Sequence, residues 1–322
     1  MQPTYRGGDA PSPEMAHVLE HFGVLMRGMV PTYFKEEGLA RNPPQLILRE
    51  PLDTPLARLL ARGLPIRPEL PEGRTSCSPV RLGDLRGEWV VAEGADPARR
   101  MLYLHGGGYV MGDVDNYRWF IARLSKASGC AALAIDYRLG PEHPFPAALE
   151  DATAAWGHML AHGPDGPAKA EKAYLIGDSA GGGLALAQTL RLRDEGKPQP
   201  AAVVAMSPGT DLTQSGKTLT EAEVVGGGKQ FSLYYGATDP KHPLVSPLHA
   251  RLEGLCPVML QAGESEGYLD DSVRFAEKAA AAGVPVTFEI WRHMPHVHQL
   301  MAPVLPEANE AIESIGRFLR AL

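Results

Sequence analysis

Gly177-Asp178-Ser179-Ala180-Gly181 places one hydroxyl among small neighbours, directly after the apolar run Ala173-Tyr174-Leu175-Ile176 and just before a helix-forming stretch, Leu184 to Arg193. A serine on a sharp strand-to-helix turn needs glycine on both sides, because the backbone doubles back on itself there, and the turn presents the hydroxyl at the strand's C-terminal end. The pattern alone also fits an ordinary glycine-rich turn. A serine hydroxyl is a weak nucleophile at neutral pH, so chemistry at Ser179 requires a base, a carboxylate behind the base, and donors where an oxyanion develops.

The chain offers a candidate for each. His105-Gly106-Gly107-Gly108-Tyr109 follows the apolar run Met101 to Leu104. Successive glycines let backbone N–H groups point into a cavity, so Gly106, Gly107 and Ala180 are the expected oxyanion donors. His105 ends a strand and reads as a brace for its loop rather than as the base. With a serine elbow of this kind the chain order runs serine, acid, histidine. Downstream of Ser179 lie His242, His249, His293, His296 and His298, and the last three crowd the loop beyond the final strand. His296 is the chosen base and His298 its alternative. The His-x-x-His-x-His spacing also resembles a metal site, but no helix aligns the three and no cysteine or carboxylate is adjacent. Glu264, Glu266, Asp270 and Asp271 follow the strand Pro257 to Ala262. A residue in the first turn after that strand can face the histidine loop, which selects Glu266, with Asp270 as the rival acid or as a helix N-cap.

These groups need a scaffold. Short apolar runs alternate with helical patterns from Leu85 onward, the rhythm of an α/β fold with a mostly parallel sheet covered on both faces. The expected strands are Cys77 to Arg81, Glu88 to Ala92, Met101 to His105, Ala131 to Tyr137, Ala173 to Gly177, Ala201 to Ser207, Val258 to Ala262 and Val286 to Trp291. The expected helices are Tyr117 to Ser128, Pro146 to Ala161, Gly181 to Arg193, Ser272 to Ala282 and Glu307 to Leu322. The first two strands are close enough for a hairpin, and the later ones need helical crossovers. Met15 to Glu37 and Pro55 to Arg62 read as amphipathic helices, and Thr210 to Pro247 is too long for a structureless loop. Both are expected to cap the strands' C-terminal edge. The resulting division is 1–70 as N-terminal cap and 71–322 as catalytic domain, with a cap insertion at about 210–247; a disordered arm and a surface excursion are the alternative.

Composition narrows the partners. Among 322 residues, 44% are hydrophobic and 21% charged, and a net charge of −7 offers no basic face to nucleic acid or an anionic membrane. Met1 to Pro13 lacks the apolar core of a secretory signal, and no run approaches the roughly 18 apolar residues of a membrane span. Three widely spaced cysteines, Cys77, Cys130 and Cys256, fit buried free thiols in a reducing compartment. The expected location is the cytoplasm.

With these residues in hand, the chain resembles the hormone-sensitive-lipase-like α/β-hydrolases, in their bacterial carboxylesterase branch. The likeness runs from about Leu102 to the C-terminus. His105-Gly106-Gly107-Gly108 matches the family's oxyanion motif, and Gly177 to Gly182 its serine elbow. Asp136-Tyr137-Arg138-Leu139 with Pro141 to Pro146 matches the block that buttresses the oxyanion loop. The family's acid motif falls on Glu266-Gly267-Tyr268-Leu269-Asp270, and its histidine on His296. There are departures: glutamate at the acid position, Gly267 for a proline or aliphatic residue, His298 for an aromatic one, and Gly209 where a bulky aromatic is frequent. The resemblance implies an α/β-hydrolase fold with a helical cap, and hydrolysis of short-acyl esters through an acyl-enzyme. It also implies that no cofactor or metal is needed, and that a homodimer forms through the last strand's edge. A ligand-binding homologue without catalysis, and amide or lactone cleavage by the same groups, are the rival readings.

Overall fold

The computed structural model describes residues 1–16, 70, 73–219 and 229–322. A nine-stranded sheet runs in the order β1 (Thr4–Arg6), β11 (Val286–Trp291), β10 (Val258–Gly263), β9 (Ala202–Met206), β8 (Lys172–Asp178), β4 (Asp96–Leu104), β5 (Cys130–Ile135), β3 (Leu85–Ala92) and β2 (Thr75–Leu82). Only β3 pairs antiparallel, with β2 and with β5; every other neighbour is parallel. A separate short hairpin joins β6 (His162–Gly163) to β7 (Gly166–Pro167).

The side-chain period of two decides which layer each residue joins. Leu102 and Leu104 of β4, Leu133 of β5 and Leu175 of β8 pack with α2 (Ala147–Ala161), α3 (Ala180–Asp194) and α5 (Leu269–Ala281). Met101 and Tyr103, Ala132, and Tyr174 and Ile176 face the other way, onto α1 (Val114–Ser128) and α6 (Pro306–Ala321). Because both faces are covered, β5, β9 and β10 are buried along their whole length and read as continuous apolar runs, whereas β2 at the far edge alternates. Each fully buried Leu or Ile here contributes about 1.5–3 kcal/mol. Local signals set the helix ends: Asp113 accepts the Asn116 N–H at the start of α1, and Gly129, at φ +70°, closes its C-terminus.

The eight expected strands and five expected helices are all present. The ninth strand, β1, was missed because three residues, Thr-Tyr-Arg, are too few to display a period. It is held by position instead, in parallel register with Glu289 to Trp291 and with Arg6 paired at 2.8 Å to the buried Glu289. Among the described residues β1 lies on the outer edge of β11, the edge expected to form a homodimer.

Ser12 accepts the Met15 N–H and reaches Glu307 at 3.1 Å, and Met15 is buried against α1 and α6. The remainder of the two expected N-terminal helices lies outside the described residues, as do residues 220–228 of the expected insertion. On the far side of that gap, α4 (Lys229–Tyr235) follows, so the interval from 210 to 247 is not structureless. Among the described residues no helix is long and apolar enough to cross a membrane.

Parallel pairing has one consequence for chemistry. The C-terminal ends of β4, β8, β10 and β11 all open on the same edge of the sheet. The loops after them carry His105–Gly108, Ser179, Glu266 and His296, and such an edge is where α/β sheets bind ligands.

Candidate active site

Ser179 sits at the junction of β8 and α3 with φ +52° and ψ −119°, a conformation that few side chains tolerate. Its neighbours make the turn possible. A Cβ at Gly177 would lie 2.3 Å from the Gly181 carbonyl oxygen, and one at Gly181 only 2.0 Å from that of Leu104. Glycine is therefore a steric requirement at both positions.

The His296 imidazole bridges the other two groups. Its Nε2 lies 2.9 Å from Ser179 Oγ, and its Nδ1 2.8 Å from Glu266 Oε2. Glu266 is buried, and its second oxygen accepts the Gly263 N–H at 3.2 Å, which orients the carboxylate toward the ring. The acid and histidine loops are tied to each other: Glu264 N–H donates to Trp291 O at 2.8 Å, and Ser265 N–H to Met294 O at 3.0 Å. A Cβ at Gly263 would lie 2.2 Å from Met294 O, so the approach of these loops depends on that glycine. The Tyr268 ring packs 5.1 Å from the imidazole.

The alternatives to these residues have other partners. Asp270 is not an N-cap, because α5 begins at Leu269, three residues earlier than expected. Its carboxylate instead pairs with Arg274 at 2.8 Å and accepts the Lys217 N–H. His298 is buried against Trp291 with neither ring nitrogen hydrogen-bonded, and burial pushes its pKa down to about 3. His293 Nε2 contacts Asp9 O.

One expected oxyanion donor is corrected. Gly106 N–H donates to Asp178 Oδ1 at 3.0 Å, so it is already engaged. A Cβ there would lie 2.3 Å from Asp178 Oδ2, and the glycine serves this close approach. Gly107 and Gly108, at φ +115° and +62°, are the next residues of the loop, and Ala180 opens α3. Motif spacing counts glycines without showing which N–H turns inward.

Asp178 is the site residue that sequence reasoning missed. It is buried and also accepts hydrogen bonds from the Tyr103 and Tyr117 hydroxyls. Burial pushes its carboxyl up to about 6, against the pull of Tyr103, the His296 charge and the Gly106 N–H. The available signal was an acid inside an otherwise small-residue motif.

The buttress block behaves as expected. Tyr137 donates to His105 O at 2.6 Å and stacks on the His105 ring at 4.2 Å, while Gly140 N–H donates to Tyr109 O. His105 Nδ1 lies 2.7 Å from Gly106 O, and burial lowers the pKa of this ring. It braces the loop. Tyr109 stacks in turn on Tyr234 of α4 at 3.7 Å, fastening that helix to the glycine loop. Away from the site, all three cysteines are free, and burial pushes the Cys256 thiol up to about 12.

A serine elbow, an imidazole and a carboxylate in line at the C-terminal edge of a mostly parallel sheet define a serine hydrolase of α/β architecture. A family model described as the alpha/beta hydrolase fold matches residues 101–300. An acetyl-hydrolase of Streptomyces hygroscopicus is 43% identical over 249 residues, covering 75% of this chain and 81% of that protein. An esterase of Acinetobacter venetianus is 33% identical over 301 residues, covering 90% and 96%. Among solved structures, an esterase from the bacterial hormone-sensitive lipase family is similar with a TM-score of 0.80 and 36% identity, covering 97% of this chain and 99% of that one. The chain belongs to the α/β-hydrolase family, in its bacterial hormone-sensitive-lipase branch.

Proposed function

We propose that this protein hydrolyses short-acyl carboxylic esters through an acyl-enzyme on Ser179. The broader class, a carboxylic-ester hydrolase, is that of its family. The observation that supports the catalytic assignment is the line Ser179 Oγ, His296 Nε2, His296 Nδ1, Glu266 Oε2, with consecutive separations of 2.9 and 2.8 Å across its two hydrogen bonds.

In the first half-reaction His296 Nε2 takes the proton as Ser179 attacks the ester carbonyl. Glu266 accepts the Nδ1–H, fixes the tautomer and stabilises the imidazolium. The tetrahedral oxyanion is held by Ala180 N–H at the positive end of α3 and by Gly107, with Gly108 replacing Gly106 as the third donor. His296 then protonates the leaving alcohol, and water repeats the sequence to release the acid. The steps require no metal or cofactor. Short acyl groups are favoured on two grounds: the closely related Streptomyces protein is named an acetyl-hydrolase, and residues around the site are expected to form a cap. The free cysteines fit the cytoplasm as its location.

Ser179→Ala tests the reading. The variant is expected to fold with unchanged circular dichroism, to lose hydrolysis of an activated short-chain ester, and to escape labelling by an organophosphonate. Turnover at the parental rate would refute the assignment. A matched panel of esters, amides and lactones separates ester hydrolysis from its rivals, and a ligand-binding homologue would turn over none of them.

A further inference from the structure

The stretch 206–209 is hydrogen-bonded to the serine elbow, to the strand before Glu266 and to the histidine loop. Met206 O accepts the Ser179 N–H at 2.8 Å, and Gly209 N–H donates to Ser179 O at 3.2 Å, so the nucleophile's backbone is held from both sides. Between them, Ser207 N–H donates at 2.7 Å to Gln261 O, on the strand that leads to Glu266. The Ser207 hydroxyl accepts the N–H of Val297, the residue after His296, at 3.1 Å.

Two conformations make this last bond informative. Val297 has φ +48° and ψ +46°, a left-handed geometry that a β-branched residue avoids unless its surroundings impose it. Ser207 also has a positive φ, +47°, and is completely buried. Glycine would adopt that φ with less strain. The strain is kept together with a side chain whose hydroxyl reaches the Val297 amide. That amide belongs to the peptide joining His296 to Val297. Fixing its N–H fixes the peptide plane and so the direction in which the His296 side chain leaves the backbone.

We propose that Ser207 is a positioning residue: its hydroxyl locks the His296–Val297 peptide and so registers the imidazole between Ser179 Oγ and Glu266 Oε2. The inference rests on His296 as the base. The hydrogen bonds of Ser207 go to Val297 and Gln261 rather than to the imidazole or Ser179 Oγ, so it acts through the loop.

Ser207→Ala and Ser207→Gly both delete the hydroxyl, and the glycine variant also relieves the positive-φ strain. Each is expected to lower kcat for an activated ester by about tenfold, since sub-ångström misplacement of a catalytic group costs up to about a hundredfold. KM should stay within about twofold, and the rate of phosphonate labelling should fall in step with kcat. The glycine variant should be at least as resistant to unfolding as the alanine variant and no more active, which separates positioning from general destabilisation. His296→Ala, as a control, should be inactive. If it is, and the two Ser207 variants keep kcat within twofold or lose only KM, the positioning role is wrong while the base assignment stands. If His296→Ala retains kcat, the base assignment itself has failed. Hydrogen exchange on the unaltered protein gives a check independent of variant folding. The Val297 amide should exchange as slowly as those of β10, and rapid exchange would overturn the proposal.

Discussion

Glu266→Gln is the substitution that puts the catalytic line under the most demanding test. The change is nearly isosteric and the site is buried, so packing is preserved while one negative charge disappears. Glu266 Oε2 lies 2.8 Å from His296 Nδ1. When the imidazole becomes imidazolium, the carboxylate and the ring charge attract by about 4–6 kcal/mol, for charge separations of about 2.8–4 Å at an effective dielectric constant of about 20. At about 1.4 kcal/mol per decade, losing that stabilisation slows the reaction roughly 10³- to 10⁴-fold. The amide brings a second defect: if it turns its NH2 toward Nδ1, it holds the tautomer in which Nε2 carries the proton and cannot accept one from serine. Acid-to-amide replacement in serine-protease triads costs about 10⁴ in kcat by this route. Steady-state hydrolysis of a p-nitrophenyl ester, with active sites counted by phosphonate titration, measures the effect. Asp270→Asn is the companion variant, expected to keep kcat within about twofold because its carboxylate serves Arg274 and Lys217 rather than the imidazole. Glu266→Gln retaining more than a tenth of the parental kcat, or Asp270→Asn losing as much as Glu266→Gln, would refute the reasoning.

Two further outcomes are expected. Asp178 has its carboxyl raised to about 6 by burial, against about 3.9 in an unfolded chain. Between those values the folded protein keeps a proton that the unfolded chain has released, so the stability tied to this group is greatest below pH 4 and is lost as pH rises through 6. The difference amounts to about 3 kcal/mol. Denaturant unfolding of Asp178→Asn and the parent at pH 4 and pH 7 should show the asparagine variant gaining relative stability at the higher pH, and a difference independent of pH would contradict this account. For the substrate, hydrolysis profiled against acyl length should fall steeply beyond about eight carbons if a folded cap limits the site. Undiminished activity on emulsified long-chain lipid would remove the short-acyl part of the proposal.

What the sequence disclosed follows from which interactions are local. The central strands were legible because both their faces are buried, which leaves uninterrupted apolar runs such as Ala131 to Ile135. The elbow was legible because sterics forbid a side chain at Gly177 and Gly181, so the requirement is written as residue type. Glu266 was chosen over Asp270 by its distance from the end of β10, and the geometry of that turn does bring Glu266 to the imidazole. β1 was hidden because its pairing with β11 joins residues 285 apart, with no period of its own to announce it. The engagement of Gly106 was hidden for a related reason: the three glycines are equivalent in sequence, and only a carboxylate approaching from another strand distinguishes the first from the other two.

That carboxylate shows how this site divides labour between two buried acids. Glu266 lies 2.8 Å from the His296 ring, which on the proposed mechanism acquires positive charge during the reaction, so the carboxylate's charge would be useful when the barrier is crossed. Asp178 faces neutral donors, two tyrosine hydroxyls and a glycine amide, and burial raises its pKa. The hydrogen bond it accepts from Gly106 N–H ties the first glycine of that loop to the end of β8. A charge buried under this glycine loop costs stability above pH 6, as the Asp178→Asn comparison measures. On the proposed mechanism, the fold retains it at the point where the path of the backbone, rather than extra stability, would determine how well a transition state is held.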